Sequence, residues 1–372
     1  MNYIGIDISK YKHDLFIMSD FGEVVNAGLT FTNTAEGFSM LLTELEKCKE
    51  YGVRIGFEAT GNYGINLKNF LLKHDYEYIE INAKLIKEFK KGKTLRRTKT
   101  DKLDAKLIAE YLLEKNLKPV YSISYQKFAL KQLTRLRSSL VSQRSKYLIS
   151  LTNILDCIFP EFKPFFNRKF SVTALFILAN YPSPKSIANM NSRSFEILRK
   201  KSRGKFTMDK FVKLKELAKN TVGVFDDCYR IQLEMVLDLY NQLDSKISEL
   251  EDQIAEIITE LNPPTLSIKG VGAVSAAVII SEIEDISRFR TPDKLLAFAG
   301  LECSISQSGT TEYFGHMVKH GSGELRNALM LCARSAALHN EVFATYYHKK
   351  ISEGKPHFVV MNHVAKKLVR IM

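Results

Sequence analysis

From residue 229 to residue 261 the apolar side chains Leu233, Val236, Tyr240, Leu243, Ile247, Leu250, Ile254, Ile257 and Leu261 alternate strictly at spacings of three and four. That is the seam of a long amphipathic helix, and such a narrow stripe is buried only against another helix. A partner exists in residues 127 to 158, where Leu133, Leu140, Tyr147 and Ile154 recur every seven residues. The two segments are expected to pair as an antiparallel hairpin or to mediate assembly between chains. A rod of this kind cannot lie inside a compact mixed domain, so it divides the 372 residues. The division runs 1–125, a helical coiled-coil connector over 126–262, and a C-terminal domain over 263–372, with Pro263-Pro264 ending the second long helix. Between the heptad segments, residues 160–225 carry Pro160, Pro164, Pro182, Pro184 and the basic run Arg199-Lys200-Lys201, a pattern that assigns no fold.

The first 125 residues read differently. Ile4, Ile6 and Ile8 alternate in a first strand, Leu15–Met18 follows, and Asp20-Phe21-Gly22 turns the chain into Val24–Phe31. Asn33 or Thr34 then caps a helix with Phe38, Leu41, Leu42 and Leu45 on one face. Val53–Ala59 is a fourth strand and Tyr76–Ile81 a fifth, with helices between and beyond. Three antiparallel strands followed by alternating helix and strand predict an α/β fold of ribonuclease-H type. The region from 265 onward is expected to be mostly helical. It still reads as a helix at Arg370-Ile371-Met372, which leaves room for a natural end beyond this point.

The formal net charge of +13 speaks of partners and not of fold, and favours a polyanion. A membrane is the weaker choice, because the apolar run Ala273–Ile280 is far below the roughly 18 residues a spanning helix requires. The start, MNYIGIDISK, has no basic leader and puts Asp7 in its first apolar stretch, so no signal peptide is expected. Five scattered cysteines without a CxxC pair indicate neither a disulfide framework nor a zinc site. A cytoplasmic, nucleoid-associated protein is the expectation.

Four acids stand out. Asp7 lies mid-strand among isoleucines, a costly position unless paired. Glu58 ends the fourth strand, which in a ribonuclease-H topology neighbours the first. Asp101 and Asp104 share one helical face at a spacing of three, after the N-cap candidate Thr100. Residues 84–106 around them hold ten Lys or Arg and only three acids. Clustered carboxylates raise one another's pKa unless a cation sits among them. Their hard oxygens suit Mg²⁺ or Mn²⁺, and two such ions can clamp a phosphodiester displacement. Taken singly, Asp101 also fits a helix-dipole partner and Glu58 a turn acid. An actin-like or sugar-kinase fold is set aside because Ile8-Ser9-Lys10 has no glycine for a phosphate turn.

Further on, Gly270-Val271-Gly272 before the apolar helix Ala273–Ile283 fits either a helix-hairpin-helix phosphate grip or a plain turn. The order GIDISK, GFEATGNY, TDKLDA, GVG, AFAGL, QSG and KHG with LRNAL, spread over nearly the whole chain, resembles the DEDD-type insertion-sequence transposases. That family joins a RuvC-like N-terminal domain to a C-terminal transposase domain. The resemblance implies metal-ligand roles for Asp7, Glu58, Asp101 and Asp104, and a nucleophilic role toward DNA for Ser308, with Ser306 and then Ser304 as fallbacks. It further implies DNA partners, relatives guided by a structured RNA, and homo-oligomers whose active sites combine subunits. His316, Lys319, His320 and Arg326 would orient or neutralise a phosphate. Two other functions remain open at this point. One is a junction-resolving nuclease that uses metal-activated water, and the other a non-catalytic nucleic-acid scaffold.

Overall fold

A computed structural model describes residues 1–59, 61–93, 101–115, 125–167, 170–308 and 311–372, without the side chains of residues 101, 125, 305–308 and 311–316. The chain forms two compact units, Met1–Tyr125 with Glu284–Thr291, and Gln126–Ile283 with Pro292–Met372.

The first unit is built on a mixed sheet. Strands β1 (Asn2–Ile8), β2 (Lys12–Ser19) and β3 (Val24–Thr32) form an antiparallel meander, its second turn allowed by Gly22 at φ 81°. Helix α1 (Ala35–Cys48) follows, with the Thr34 side chain accepting from the Gly37 amide as its N-cap. Strand β4 (Val53–Glu58), helix α2 (Ile65–Lys73) and strand β5 (Tyr78–Ile81) complete the sheet, in the order β3-β2-β1-β4-β5 with β1, β4 and β5 parallel. Helices α3 (Ala83–Lys93) and α4 (Asp101–Glu114) close the unit.

Strict alternation sorts the side chains. Ile4, Ile6, Ile8, Leu15, Ile17, Ile55 and Phe57 face α1 and α2, where Leu41, Leu45, Leu67 and Leu71 complete a core. The opposite face carries Phe16, Met18, Ile79 and Ile81 beneath Ala105, Ile108, Ala109, Tyr111 and Leu112 of α4. This contact is unusually close. Gly5 pairs with Phe16 on one side and Gly56 on the other. A Cβ on Gly5 would stand 2.1 Å from the Ala105 carbonyl oxygen and 2.5 Å from the Ala109 nitrogen, and one on Gly56 would stand 2.8 Å from the Leu112 methyls. The helix therefore rests on bare strand backbone.

In the second unit, α5 (Tyr125–Ile158) is joined to α11 (Asp227–Leu261) through a run of short helices: α6 (Phe162–Phe165), α7 (Val172–Asn180), α8 (Pro184–Ala188), α9 (Ser192–Lys201) and α10 (Met208–Lys219). The two long helices pair antiparallel. Arg137 meets Glu251 and Arg144 meets Asp244, so position rises along one helix as it falls along the other. At one end Leu130 packs with Ile254 and Ile258, and at the other Leu151 and Leu155 pack with Leu233 and Leu237. The heptads thus pair within the chain as an antiparallel hairpin. Asn262, in the left-handed region at φ 38°, ends α11 just before Pro263-Pro264. The stretch 160–225, which had no assigned fold, is helical around its own core of Phe162, Ile177, Phe195, Leu198, Phe206, Phe211 and Leu214.

The remainder contains α12 (Ala273–Ile283), α13 (Pro292–Ala299), a hairpin of β6 (Cys303–Ser308) and β7 (Thr311–Met317), then α14 (Gly323–His339), α15 (Glu341–Ser352) and α16 (His357–Ile371). The mostly helical expectation holds, with this one β-hairpin set among the helices. The Gly270-Val271-Gly272 segment lies between a 3₁₀ turn and α12. The 3₁₀ turn, Pro264–Ser267, follows α11, and a Cβ on Gly270 would lie 2.5 Å from the Ala336 nitrogen. The glycine is needed for packing on α14. All five cysteines are free thiols, and among the described residues no helix is long and apolar enough to cross a membrane.

Two outcomes follow from this architecture. Gly5→Ala should destabilise the first unit by about 1–3 kcal/mol in urea unfolding, because the obstructing atoms are backbone and α4 must lift. His13 is fully buried between Phe31 and Phe38, and burial holds its pKa below the ordinary 6.5 although the Asp14 charge opposes this. The unfolded chain takes up that proton near 6.5 and the native chain does not, so stability should fall as pH drops below this value. A melting-temperature series from pH 7.5 to about pH 5 should fall less steeply for His13→Phe than for the parent. Parallel curves would refute the assignment.

Candidate active site

Asp7 and Glu58 come together through strand register alone. Ile6 of β1 pairs with Phe57 of the parallel strand β4, so the next step places residue 7 beside residue 58. Each lies two residues beyond its strand's glycine, Gly5 or Gly56, and so points to the face that α4 covers. Both are half-buried. On its other side Asp7 pairs directly with Asp14 of β2, whose carboxylate is buried at 4% exposure. Three acids thus stand in one row across β2, β1 and β4.

Asp14 is held by its neighbours. The Thr30 hydroxyl donates to Asp14 Oδ1, and Lys12 Nζ lies 3.7 Å from Oδ2. Sequence reading passed over Asp14, yet the signal was present. The β1–β2 turn, closed by the Ser9 amide on the Lys12 carbonyl, makes residues 7 and 14 opposite partners, and Asp14 alternates with Phe16 and Met18.

Asp101 and Asp104 open α4. Asp104 shares the helix side of Ile108 and Tyr111, which pack with Ile79 and Ile81 near the carboxyl ends of β4 and β5. Asp104 Oδ1 accepts from Lys90 Nζ of α3 at 2.7 Å, and both groups are partly buried. Lys93 bridges Glu110 and Glu114 at 3.0 and 2.6 Å, fixing α3 against α4. The side chain of Asp101, the cap candidate Thr100 and the basic residues 94–100 lie outside the described residues. Among the described residues no three acidic, histidine or cysteine groups are gathered into a metal-binding cluster. The structure therefore sets Asp7 beside Glu58, and leaves Asp104 paired with a lysine on the helix above the same face.

In the second unit, Ser308 is the last residue of β6 and pairs with Thr311, so its backbone sits at the tip of the hairpin. Its side chain, like those of Ser306 and His316, lies outside the described residues. The hairpin base is firmly seated. The Val318 amide donates to the Glu302 carbonyl, and Arg326 Nη1 donates to the Ala299 carbonyl at 3.2 Å. Gly321 lies where a Cβ would meet the Phe298 carbonyl oxygen at 2.1 Å. The AFAGL and KHG–LRNAL segments are thus one packed joint, and Arg326 is occupied in holding it. Beneath this joint the buried Glu282 of α12 accepts from Arg135 Nε and from the Ser322 hydroxyl, each at 2.9 Å.

Comparison with known families matches residues 4–160 to a DEDD-type transposase model and residues 265–348 to the model described as "Transposase IS116/IS110/IS902 family". The chain belongs to this transposase family. The two matched stretches cover the acidic sheet with α5 and the GVG-to-α15 region, leaving 161–264 between them. Among curated proteins similar to this chain, an insertion element IS110 uncharacterized protein of Streptomyces coelicolor is 29% identical over 125 residues, 33% of this chain and 31% of that protein. Pilin gene-inverting proteins of Moraxella bovis and Moraxella lacunata are 36% and 35% identical over 118 residues, 31% of this chain and 35% of each relative. The matched stretch thus spans about a third of the length of these curated relatives.

The Asp14 environment is directly testable. Thr30→Val keeps shape and removes the hydroxyl that serves a buried carboxylate, so it should destabilise the first unit by about 1.5–3 kcal/mol. A change below a few tenths of that in denaturant titration would show that the contact is not structural.

Proposed function

We propose that this chain is a DNA transposase or recombinase that cleaves and rejoins strands with Ser308 as nucleophile and the acids Asp7, Glu58, Asp101 and Asp104 holding Mg²⁺ or Mn²⁺. The observation that carries the reading is the side-by-side placement of Asp7 and Glu58 beneath the helix bearing Asp101 and Asp104. The strand order β3-β2-β1-β4-β5, with a parallel β1–β4 contact at the acids, supports a ribonuclease-H-like, RuvC-like domain. The donor set fits the ion, since all candidate ligands are hard carboxylate oxygens and adjacent acids require a countercharge. Lys90 on Asp104 supplies such a charge here, and a divalent ion would take its place.

When bound, the ion supplies positive charge to the phosphate oxygens as charge builds on them. The chain's own residues do the rest. Ser308 Oγ forms a bond to phosphorus as the bond from phosphorus to one sugar oxygen breaks. The serine proton passes to solvent, and the released sugar oxygen takes up a proton to become a hydroxyl. Attack by a hydroxyl of a second strand on the phosphoserine link restores the serine and completes an exchange without added energy. Lysine and arginine side chains anchor the flanking phosphates. The names of the Moraxella relatives, which invert a pilin gene, accord with strand exchange. Guidance by a structured RNA, assembly as a dimer or tetramer, and work at the nucleoid in the cytoplasm follow from family kinship and belong to the same proposal.

Ser308→Ala should abolish a covalent protein–DNA adduct on denaturing gels while leaving DNA binding intact. Cleavage that persists without an adduct would instead assign a water-dependent nuclease. Asp7→Asn should remove the thermal stabilisation by Mn²⁺, which for a ligand at a hundred times its Kd amounts to about 2.7 kcal/mol in the parent. Equal stabilisation of both proteins would rule out the acidic site, and unchanged DNA integrity in both variants and parent would leave a scaffold.

A further inference from the structure

The stretch 160–225 holds fourteen Lys or Arg and four acids, so it carries +10 of the chain's +13. It lies almost wholly between the two family-matched regions. We propose that the turn between α9 and α10 in this stretch is a docking surface for the phosphate backbone of duplex DNA. The inference rests on the DNA-handling reading above and adds a site to it.

The cations are concentrated and held in place. Arg199, Lys200 and Lys201 end α9, Arg203 and Lys205 form the turn, and Lys210 lies in the first turn of α10, all six exposed. The loop is tightly made. Ser202 Oγ donates to the Arg199 carbonyl and accepts from the Phe206 amide, while the Gly204 amide donates to the Arg199 carbonyl. Arg203 at φ 54° and Gly204 at φ 80° turn the chain, and Phe206, 4% exposed, anchors it against Phe165 and Phe166. Lys201 Nζ lies 4.5 Å from the centre of the Phe176 ring, and Lys210 Nζ donates to the Lys205 carbonyl at 3.1 Å.

What these charges lack is compensation. Glu196, Asp209 and Glu216 share these helices, yet none of the six cations forms an ion pair among the described residues. Six like charges on a pinned turn repel one another, and a polyanion relieves that repulsion while releasing its own counterions. The type of polyanion is narrowed by what surrounds them. Among the described residues of 160–225 no aromatic ring is exposed, so the surface offers no platform on which unpaired bases stack. A lysine-rich, aromatic-free surface grips the backbone of a duplex without reading sequence.

The test compares two full-length variants that each lose four positive charges. Arg199→Gln with Lys200→Gln, Arg203→Gln and Lys205→Gln alters the turn. Lys47→Gln with Lys49→Gln, Lys246→Gln and Lys349→Gln alters exposed cations elsewhere. Fluorescence anisotropy with a labelled random-sequence DNA duplex is read from low to moderate salt, with melting curves as the folding check. The turn variant should bind at least about tenfold more weakly at low salt, and its salt slope should shrink by about 0.9 per lost phosphate contact. The control should stay near the parent. Equal losses in both variants, or none in either, would overturn the proposal, as would a turn variant that loses affinity only for a structured RNA hairpin. A parent chain that binds no duplex at any salt would overturn the DNA-handling reading itself.

Discussion

The first unit depends on how closely α4 can approach the sheet. Two glycines in one row, Gly5 and Gly56, strip the strands to backbone where the helix crosses. Interiors are packed to crystal-like density, so a helix brought within contact of strand backbone has little freedom to slide. That closeness fixes the start of α4, and with it Asp101 and Asp104, relative to the strand ends that carry Asp7 and Glu58. Ala105, Ala109 and Leu112 make that close contact with the strands.

Electrostatics makes the same point from the opposite side. Asp14, Asp7 and Glu58 lie on three neighbouring strands, and like charges directly opposite each other across a sheet are unfavourable. Lys12 lies by Asp14 at one end of the row, and Lys90 pairs with Asp104 on the helix over the same face.

Much of this was legible along the chain. Period-two alternation located β1 to β5 to within a few residues, and β1, β2 and β4 show their apolar face in Ile4, Ile6, Leu15, Ile17, Ile55 and Phe57. The heptads located α5 and α11, since a/d spacing survives any local propensity. The β6–β7 hairpin was not legible, because Cys303–Met317 is polar and lacks alternation between apolar and polar faces, and its pairing depends on the joint made by Ala299, Gly321 and Arg326. Asp14 was missed for a different reason. Its significance comes from a partner across a turn, and reading acids one at a time hides cross-strand neighbours. The glycines presented the same difficulty, since Gly5 and Gly56 read as ordinary strand residues until a helix is laid over them.

The long hairpin explains why the chain tolerates a subdomain of its own charge and core between α5 and α11. Antiparallel helices fix their register along their length, here through Arg137 with Glu251 and Arg144 with Asp244, together with the buried seam at Ile247 and Ile254. The connection at the far end then carries no burden of alignment, and loop-closure entropy grows only slowly with its length. Phe159, Phe162, Leu233 and Leu237 continue the seam into the core of α6 to α10, so the added helices stand on the end of the rod as a rigid extension of it. A basic surface mounted there is held by the same packing that holds the rod. Its position on the second unit is therefore set by apolar contacts, and its charges are left exposed.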